Sequence, residues 1–241
     1  MKDRAILFEI QHVYGIMERN AGKGVIPLKV LVVGANGQIG KHLVKLLKES
    51  DEYSVTAFVR TEQQAREFED FGVEAVMGNL EGTVGELEEA LKGSDAVVFT
   101  AGSGGKTGYD KTLLIDLDGA VKVMEAAENA GIQRFIMVSA LQAHNRQNWN
   151  EQIKPYYVAK HYADRVLVQS KLTYTIIRPG GLLNEPGTGR VTIAENLERG
   201  IIPREDVAKT ILAAINEEST FNKSFDLVSG ETSIREAVKN I

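Results

Sequence analysis

From position 28 onward, short unbroken apolar runs alternate with longer segments in which apolar residues return every three or four positions. Lys29-Val30-Leu31-Val32-Val33 is nearly continuous, the pattern of a parallel strand covered on both faces. After a glycine turn, Ile39, Leu43, Leu46 and Leu47 share one face of a helix expected over 38–49. The same reading gives strands over 53–59, 73–77, 96–100, 135–138 and 174–177, and helices over 84–91, 111–130 and 155–170. Thr61 followed by Gln64 predicts a capping box at the head of a helix between the second and third strands. Near the end come a helix over 204–216, a strand over 224–228 and a last helix. Strands joined through helices over this length imply right-handed crossovers. The expected fold is therefore α/β: a doubly wound parallel sheet in one domain over 28–241, with a small C-terminal portion on the substrate side.

The first 27 residues keep no sustained period, and Ala21-Gly22-Lys23-Gly24 reads as linker. Codons for Lys23 to Ile26 can form a purine-rich ribosome-binding stretch a few positions before Leu28. Residues 1–27 are expected to be an upstream extension from a misplaced start, outside the fold; the alternative is a short helix near 6–17 docked on the domain.

Composition narrows the function classes. There is no cysteine, hence no disulfide framework, thiolate zinc site or cysteine nucleophile. With 28 basic and 33 acidic residues the formal charge is −5, which argues against nucleic-acid and anionic-membrane partners. No apolar run approaches the ~20 residues of a membrane helix, and Asp3 and Glu9 flank an N-terminal apolar patch too short for a secretory signal. The expected address is cytoplasmic. His12, His42, His144 and His161 lack metal-ligand spacing, so no metal is expected.

In a doubly wound sheet, ligands lie beyond the carboxyl ends of the strands. The first such turn is Gly34-Ala35-Asn36-Gly37-Gln38-Ile39-Gly40. Glycines at its first, fourth and seventh positions permit a tight turn, close backbone approach to a diphosphate and close helix packing. Free amides and the positive end of the following helix attract the phosphates, which places Gly34, Asn36, Gly37, Gln38, Ile39 and Gly40 against a dinucleotide. Arg60 ends the second strand where an NAD site carries an acidic residue for the ribose 2′-hydroxyl. A guanidinium there suits a 2′-phosphate, so NADP(H) is expected over NAD(H).

Gly34-x-x-Gly37-x-x-Gly40, Gly78-Asn79-Leu80, Thr100-Ala101-Gly102, Asp116-Leu117-Asp118-Gly119, Tyr156-x-x-x-Lys160 and Arg178-Pro179-Gly180 follow one another in the order of a known family. With them the chain resembles the short-chain dehydrogenase/reductases, in the atypical single-domain branch related to epimerase/dehydratases and NmrA-like proteins. The resemblance implies that Asn79 and Leu80 lie near the adenine, Ala101 and Gly102 along the path from diphosphate to ribose, and Pro179 near the nicotinamide. It implies that Tyr156 transfers the proton while the nicotinamide transfers hydride. Lys160 would tune that phenol and hold the ribose. Four residues apart on a helix, the two share a face, and an ammonium beside a phenol of ordinary pKa near ~10 favours its ionised form. Tyr157 is the neighbouring candidate, but its i+4 residue is His161 rather than lysine.

Two positions depart from the family. Alignment on the fifth strand puts Ala140 where a serine or threonine is usual; Ser139 should point away if the strand is still extended there. Asp116 replaces an asparagine and is expected to face a water chain to Lys160. The catalytic set is thus Tyr156, Lys160, Ser139 and Asp116. The 181–189 stretch, with Pro186 and several glycines, is expected to form a mobile rim. The 142–154 loop, with His144 and Trp149, is read as either a pocket cover or a core anchor. The leading function is an NADP(H)-dependent oxidoreductase of a small carbonyl-type substrate. The alternative is a non-catalytic NADP(H)-binding redox sensor of the NmrA-like type, which Ala140 favours. The partner is a small-molecule substrate, and no motif names it or an oligomeric state.

Overall fold

The computed structural model describes residues 26–105 and 107–241. The expected extension therefore lies, except for Ile26 and Pro27, outside the described residues. Strands β1 (Leu28–Val33), β2 (Tyr53–Val59), β3 (Glu74–Met77), β4 (Ala96–Phe99), β5 (Arg134–Val138), β6 (Thr173–Pro179) and β10 (Lys223–Ser229) pair in parallel in the order 3-2-1-4-5-6-10. The expected doubly wound sheet is present. It is extended by two strands the periodicity did not reveal, β8 (Arg190–Ala194), antiparallel to β10, and β11 (Thr232–Ser233), antiparallel to β8. Two short strands, β7 (Gly181–Leu183) and β9 (Ile201–Pro203), form a separate pair.

β1 shows why the apolar runs are unbroken. Val30 and Val32 enter the core on one face of the sheet, Leu31 and Val33 the core on the other. The first face is covered by α1 (Gln38–Lys48), through Ile39, Leu43, Val44 and Leu47, and by α6 (Arg204–Ala214), through Val207 and Ile211. The second is covered by α3 (Val84–Leu91), α4 (Ala120–Asn129) and α5 (Lys154–Gln169), with Leu87, Val123 and Leu167 wholly or almost wholly buried. Each such aliphatic side chain contributes about 1.5–3 kcal/mol by leaving water. The last helix, α7 (Ile234–Lys239), returns to the first face through Ile234 and Val238. None of the helices among the described residues is long and apolar enough to cross a membrane.

Two local expectations need correction. The helix expected over 111–130 is a short turn (Tyr109–Lys111), then a π-helix (Thr112–Gly119), and only then α4. Gly119 belongs to the wide turn, where a Cβ would stand 3.1 Å from both the Leu114 carbonyl oxygen and Leu80 Cβ. At α2 (Glu62–Asp70), Thr61 accepts from the Gln64 N–H as expected, but Gln64 reaches past Thr61 and accepts from the Arg60 N–H at 3.0 Å. The reciprocal capping box is at α3 instead, between Thr83 and Glu86, where these bonds hold the exposed Glu86 carboxyl below its usual range.

Candidate cofactor groove and active site

β2, β1 and β4 end side by side, with Val33 level with Phe58 on one side and Phe99 on the other. The strand order reverses between β1 and β4, so the crevice above them is the expected place for a ligand. Gly34 turns the chain there with φ +84°, and a Cβ on it would lie 2.6 Å from the Ala101 nitrogen. A Cβ on Gly40 would lie 2.2 Å from the Gly34 carbonyl oxygen. Only glycine fits either position.

The crevice widens into two cavities that share Gly37, Thr100, Ala101, Gly102, Ser103 and Thr107 along their walls. One, of about 390 Å³, is lined by Asn36, Arg60, Gln64, Leu80, Glu81 and Ile115 among others. The other, of about 580 Å³, is lined by Gln38, Ile39, Asp116, Val138, Ser139, Tyr156, Lys160, Leu182 and Arg204. Most of the sequence-predicted residues are thus divided between the two cavities, Arg60 and Leu80 in the smaller, Ser139, Tyr156 and Lys160 in the larger. Three of them line neither cavity: Gly40, packed against the Gly34–Ala35 backbone, Asn79 and Pro179. Asn79 spends its side-chain oxygen on the Glu81 N–H and lines neither cavity, its neighbour Leu80 doing so instead. Pro179 is buried in β6, its carbonyl bonded to the Leu141 N–H, and Leu182 takes its place on the wall.

The residues fit a dinucleotide. α1 begins on Gly37 with no side-chain cap, so its first amides lack the partner a cap would supply. Asn36 Oδ1 is buried without a hydrogen-bond partner among the described residues. Arg60 is exposed at the lip, its backbone held by Gln64 and its guanidinium unpaired among the described residues. The rim beside it is closed by an ion pair from Lys111 to Glu81, 2.7 Å long.

At the other end, Lys160 is 2% exposed and donates from Nζ to the Val138 carbonyl oxygen at 2.8 Å. Tyr156, one turn earlier on α5, shares the cavity wall. Its phenol is pushed well above the ordinary value of 10, first by burial and then by the Asp116 carboxylate, with Tyr157 and Asp164 adding to it. That corrects the expectation of a lysine-lowered pKa: without ligand, the carboxylate and burial govern, and Tyr156 stays protonated.

Ser139 is the second correction. β5 ends at Val138, and the Ser139 N–H still bonds to the Ile177 carbonyl oxygen of β6, so Ser139 follows Met137 onto the face that α5 covers. Ser139 lines the cavity with its hydroxyl buried and without a partner among the described residues, while Ala140 packs against Ala143, Trp149 and Tyr157. The turn completes itself through the Ala143 N–H to the Ala140 carbonyl and through Gln142 at φ +62°.

Asp116 lines the same cavity as Lys160. From the π-helix its Oδ2 accepts from the Ser103 N–H at 2.9 Å, and a Cβ on Gly102 would lie 3.0 Å from its Oδ1. It fixes the loop after β4.

Tyr157 is excluded from the cavity. It stacks on Trp149 at 6.0 Å, and His161 donates from Nδ1 to the Ala143 carbonyl oxygen, burial lowering the imidazole pKa. Trp149 Nε1 donates to the same carbonyl, so the 142–154 loop is anchored by its tryptophan, while Ile153 near its end lines the larger cavity. The 181–189 rim is also held. Glu205 accepts from the Gly187 N–H, and the wholly buried Asp206 from those of Thr188 and Gly189. Thr100, Ser103, Leu182 and Arg204 were missed as wall residues; Thr100 carried a signal, standing directly before Ala101-Gly102, whereas Arg204 lies 164 positions after Gly40 with no local motif.

A family model for NAD(P)H-binding proteins matches residues 34–218. The chain is 62% identical over 214 residues to an uncharacterised sugar epimerase of Bacillus subtilis, covering 89% of this chain and 100% of that protein. Among solved structures it is similar to a proposed NAD-dependent epimerase/dehydratase from Bacillus halodurans, with 41% identity, 89% and 100% of the two chains covered, and a TM-score of 0.84. An oxidoreductase from Lactococcus lactis is 35% identical, with 89% and 96% covered and a TM-score of 0.81.

Proposed function

The chain belongs to the NAD(P)H-binding family of Rossmann-fold proteins, and from that premise we propose that it is an NADP(H)-dependent oxidoreductase acting on a small carbonyl-type substrate. The observation carrying this reading is the meeting of Ser139, Tyr156 and Lys160 on one cavity wall, with the Ser139 hydroxyl unpartnered. When bound, the cofactor supplies a hydride from its nicotinamide. Ser139 Oγ donates a hydrogen bond to the substrate oxygen and stabilises the charge that builds there. Tyr156, protonated at neutral pH, gives its proton to the same oxygen. The Lys160 ammonium, tethered to Val138, keeps two N–H groups for the ribose hydroxyls and steadies the phenolate that the transfer leaves. Arg60 supports NADP(H) over NAD(H), since its free guanidinium stands at the lip of the smaller cavity, the adenosine end. The sensor alternative drew its support from Ala140, and Ser139 in the cavity removes that support.

A screen of carbonyls, quinones and flavins for NADPH oxidation tests the proposal, with sugars and NADP⁺ included because of the epimerase-named relatives. Turnover that falls at least about 100-fold in Tyr156→Phe supports it. A substrate turned over equally by wild type and Tyr156→Phe would sink the mechanism.

A further inference from the structure

Arg204 is the first residue of α6, and it lines both the larger cavity and an adjoining one of about 290 Å³. Gln38, the first residue of α1, lines the same two. Arg204 and the residue that opens α1 thus share the walls of both cavities. Its Nη1 donates to the Leu182 carbonyl oxygen at 3.1 Å and to Asn184 Oδ1 at 2.8 Å, which fixes its plane. Nε and Nη2 have no partner among the described residues, and the carboxylates nearest in sequence are taken: Glu205 by Lys209 and the Gly187 N–H, Asp206 by the Thr188 and Gly189 amides. A half-buried guanidinium held in place with a free edge is made for an oxyanion.

We propose that Arg204 is a second grip on the cofactor diphosphate, reaching it from the C-terminal part of the chain while the amides of the 34–40 turn hold it from the other. This rests on the groove being the NADP(H) site, and adds a mechanical link. The guanidinium that takes the phosphate oxygens also holds Leu182 and Asn184 in and after β7, so cofactor binding stiffens the substrate-side wall. A substrate carboxylate is the competing recipient. The diphosphate is favoured because Gln38 and the uncapped start of α1 flank Arg204 in both cavities.

The test is equilibrium titration of wild type and Arg204→Gln with NADPH, NADH and adenosine 2′,5′-bisphosphate, which has a 5′-phosphate but no diphosphate. The Kd values for NADPH and NADH should rise together, roughly 10- to 100-fold, and that for the bisphosphate by less than about 3-fold. Amide exchange at 182–184 should slow on NADPH binding in wild type and not in Arg204→Gln. If the glutamine variant does not fold, Arg204→Lys keeps the charge without the fork and should weaken both dinucleotides about 3- to 10-fold, sparing the bisphosphate. Unchanged dinucleotide affinity in a folded variant, or an equal loss for the bisphosphate, overturns the proposal. Failure of wild type to bind any of the three would instead overturn the cofactor reading of the groove.

Discussion

Removing the Ser139 hydroxyl is expected to move stability and activity in opposite directions. The hydroxyl is buried, the residue 3% exposed, and its oxygen has no partner among the described residues, so in the free protein it carries a desolvation cost with no bond to offset it. An unsatisfied buried polar group costs about 1–3 kcal/mol. Part of that gain is lost to the small void left by one oxygen atom. Ser139→Ala should therefore be more stable by about 0.5–1.5 kcal/mol, or roughly 1–6 °C in Tm for a chain of this size. In the proposed turnover the same hydroxyl is a positioned donor to the substrate oxygen, and its loss should lower kcat about 10²–10³-fold. Thermal unfolding followed by circular dichroism, beside NADPH oxidation on the same preparations, reads both. The double variant Ser139→Ala/Ala140→Ser should not recover activity, because position 140 faces Trp149 and Tyr157. A lower Tm with activity retained would refute the assignment of Ser139, and rescue by Ala140→Ser would refute its geometry.

Arg60→Ala should raise the NADPH Kd about 10- to 100-fold and the NADH Kd by less than about 3-fold, with Tm unchanged because the exposed side chain has no partner among the described residues to lose. Equal losses would remove the 2′-phosphate role. Arg134, 7% exposed, donates to the carbonyls of Thr173, Ala214 and Ile215 and to the hydroxyls of Thr175 and Thr220, tying the end of α6 to the sheet. Arg134→Met leaves those acceptors buried and should cost about 3–5 kcal/mol in urea unfolding; a loss under about 1 kcal/mol would show the network to be dispensable. A raised folded-state pKa keeps Tyr156 protonated through neutral pH and releases the proton only above its ordinary value of 10. Carbonyl reduction should therefore show no acid-group loss between about pH 6 and 9 and should decline above about pH 10. A descending limb near neutrality that is absent in Tyr156→Phe would contradict that assignment.

What the sequence made legible is what short-range physics determines. The apolar runs of β1, β4 and β5 must be buried on both faces, and Gly34 and Gly40 stand where any side chain collides with backbone. Tyr156 and Lys160 share a face because helix pitch requires it. The rest depends on partners distant in the chain. β8 exists because β10 offers it an edge, and β11 because β8 in turn does, which no period within 190–194 announces. The π-helix answers to Gly119 against Leu80 and to Asp116 reaching Ser103, contacts made across the crevice. Ser139 meets Tyr156 and Lys160 because α5, which follows it in the chain, packs over the face it lies on, a pairing that apolar patterning does not resolve. Arg204 reaches the groove only because α6 packs beside α1 over the first face of the sheet.

The central claim is that the crevice above β1 and β4 holds NADP(H), and calorimetric titration of the whole chain with NADPH and then NADH tests it most directly. Saturable heat at one site, with NADPH bound at least about tenfold more tightly than NADH, is the predicted result. No heat with either nucleotide at about millimolar concentration would contradict it.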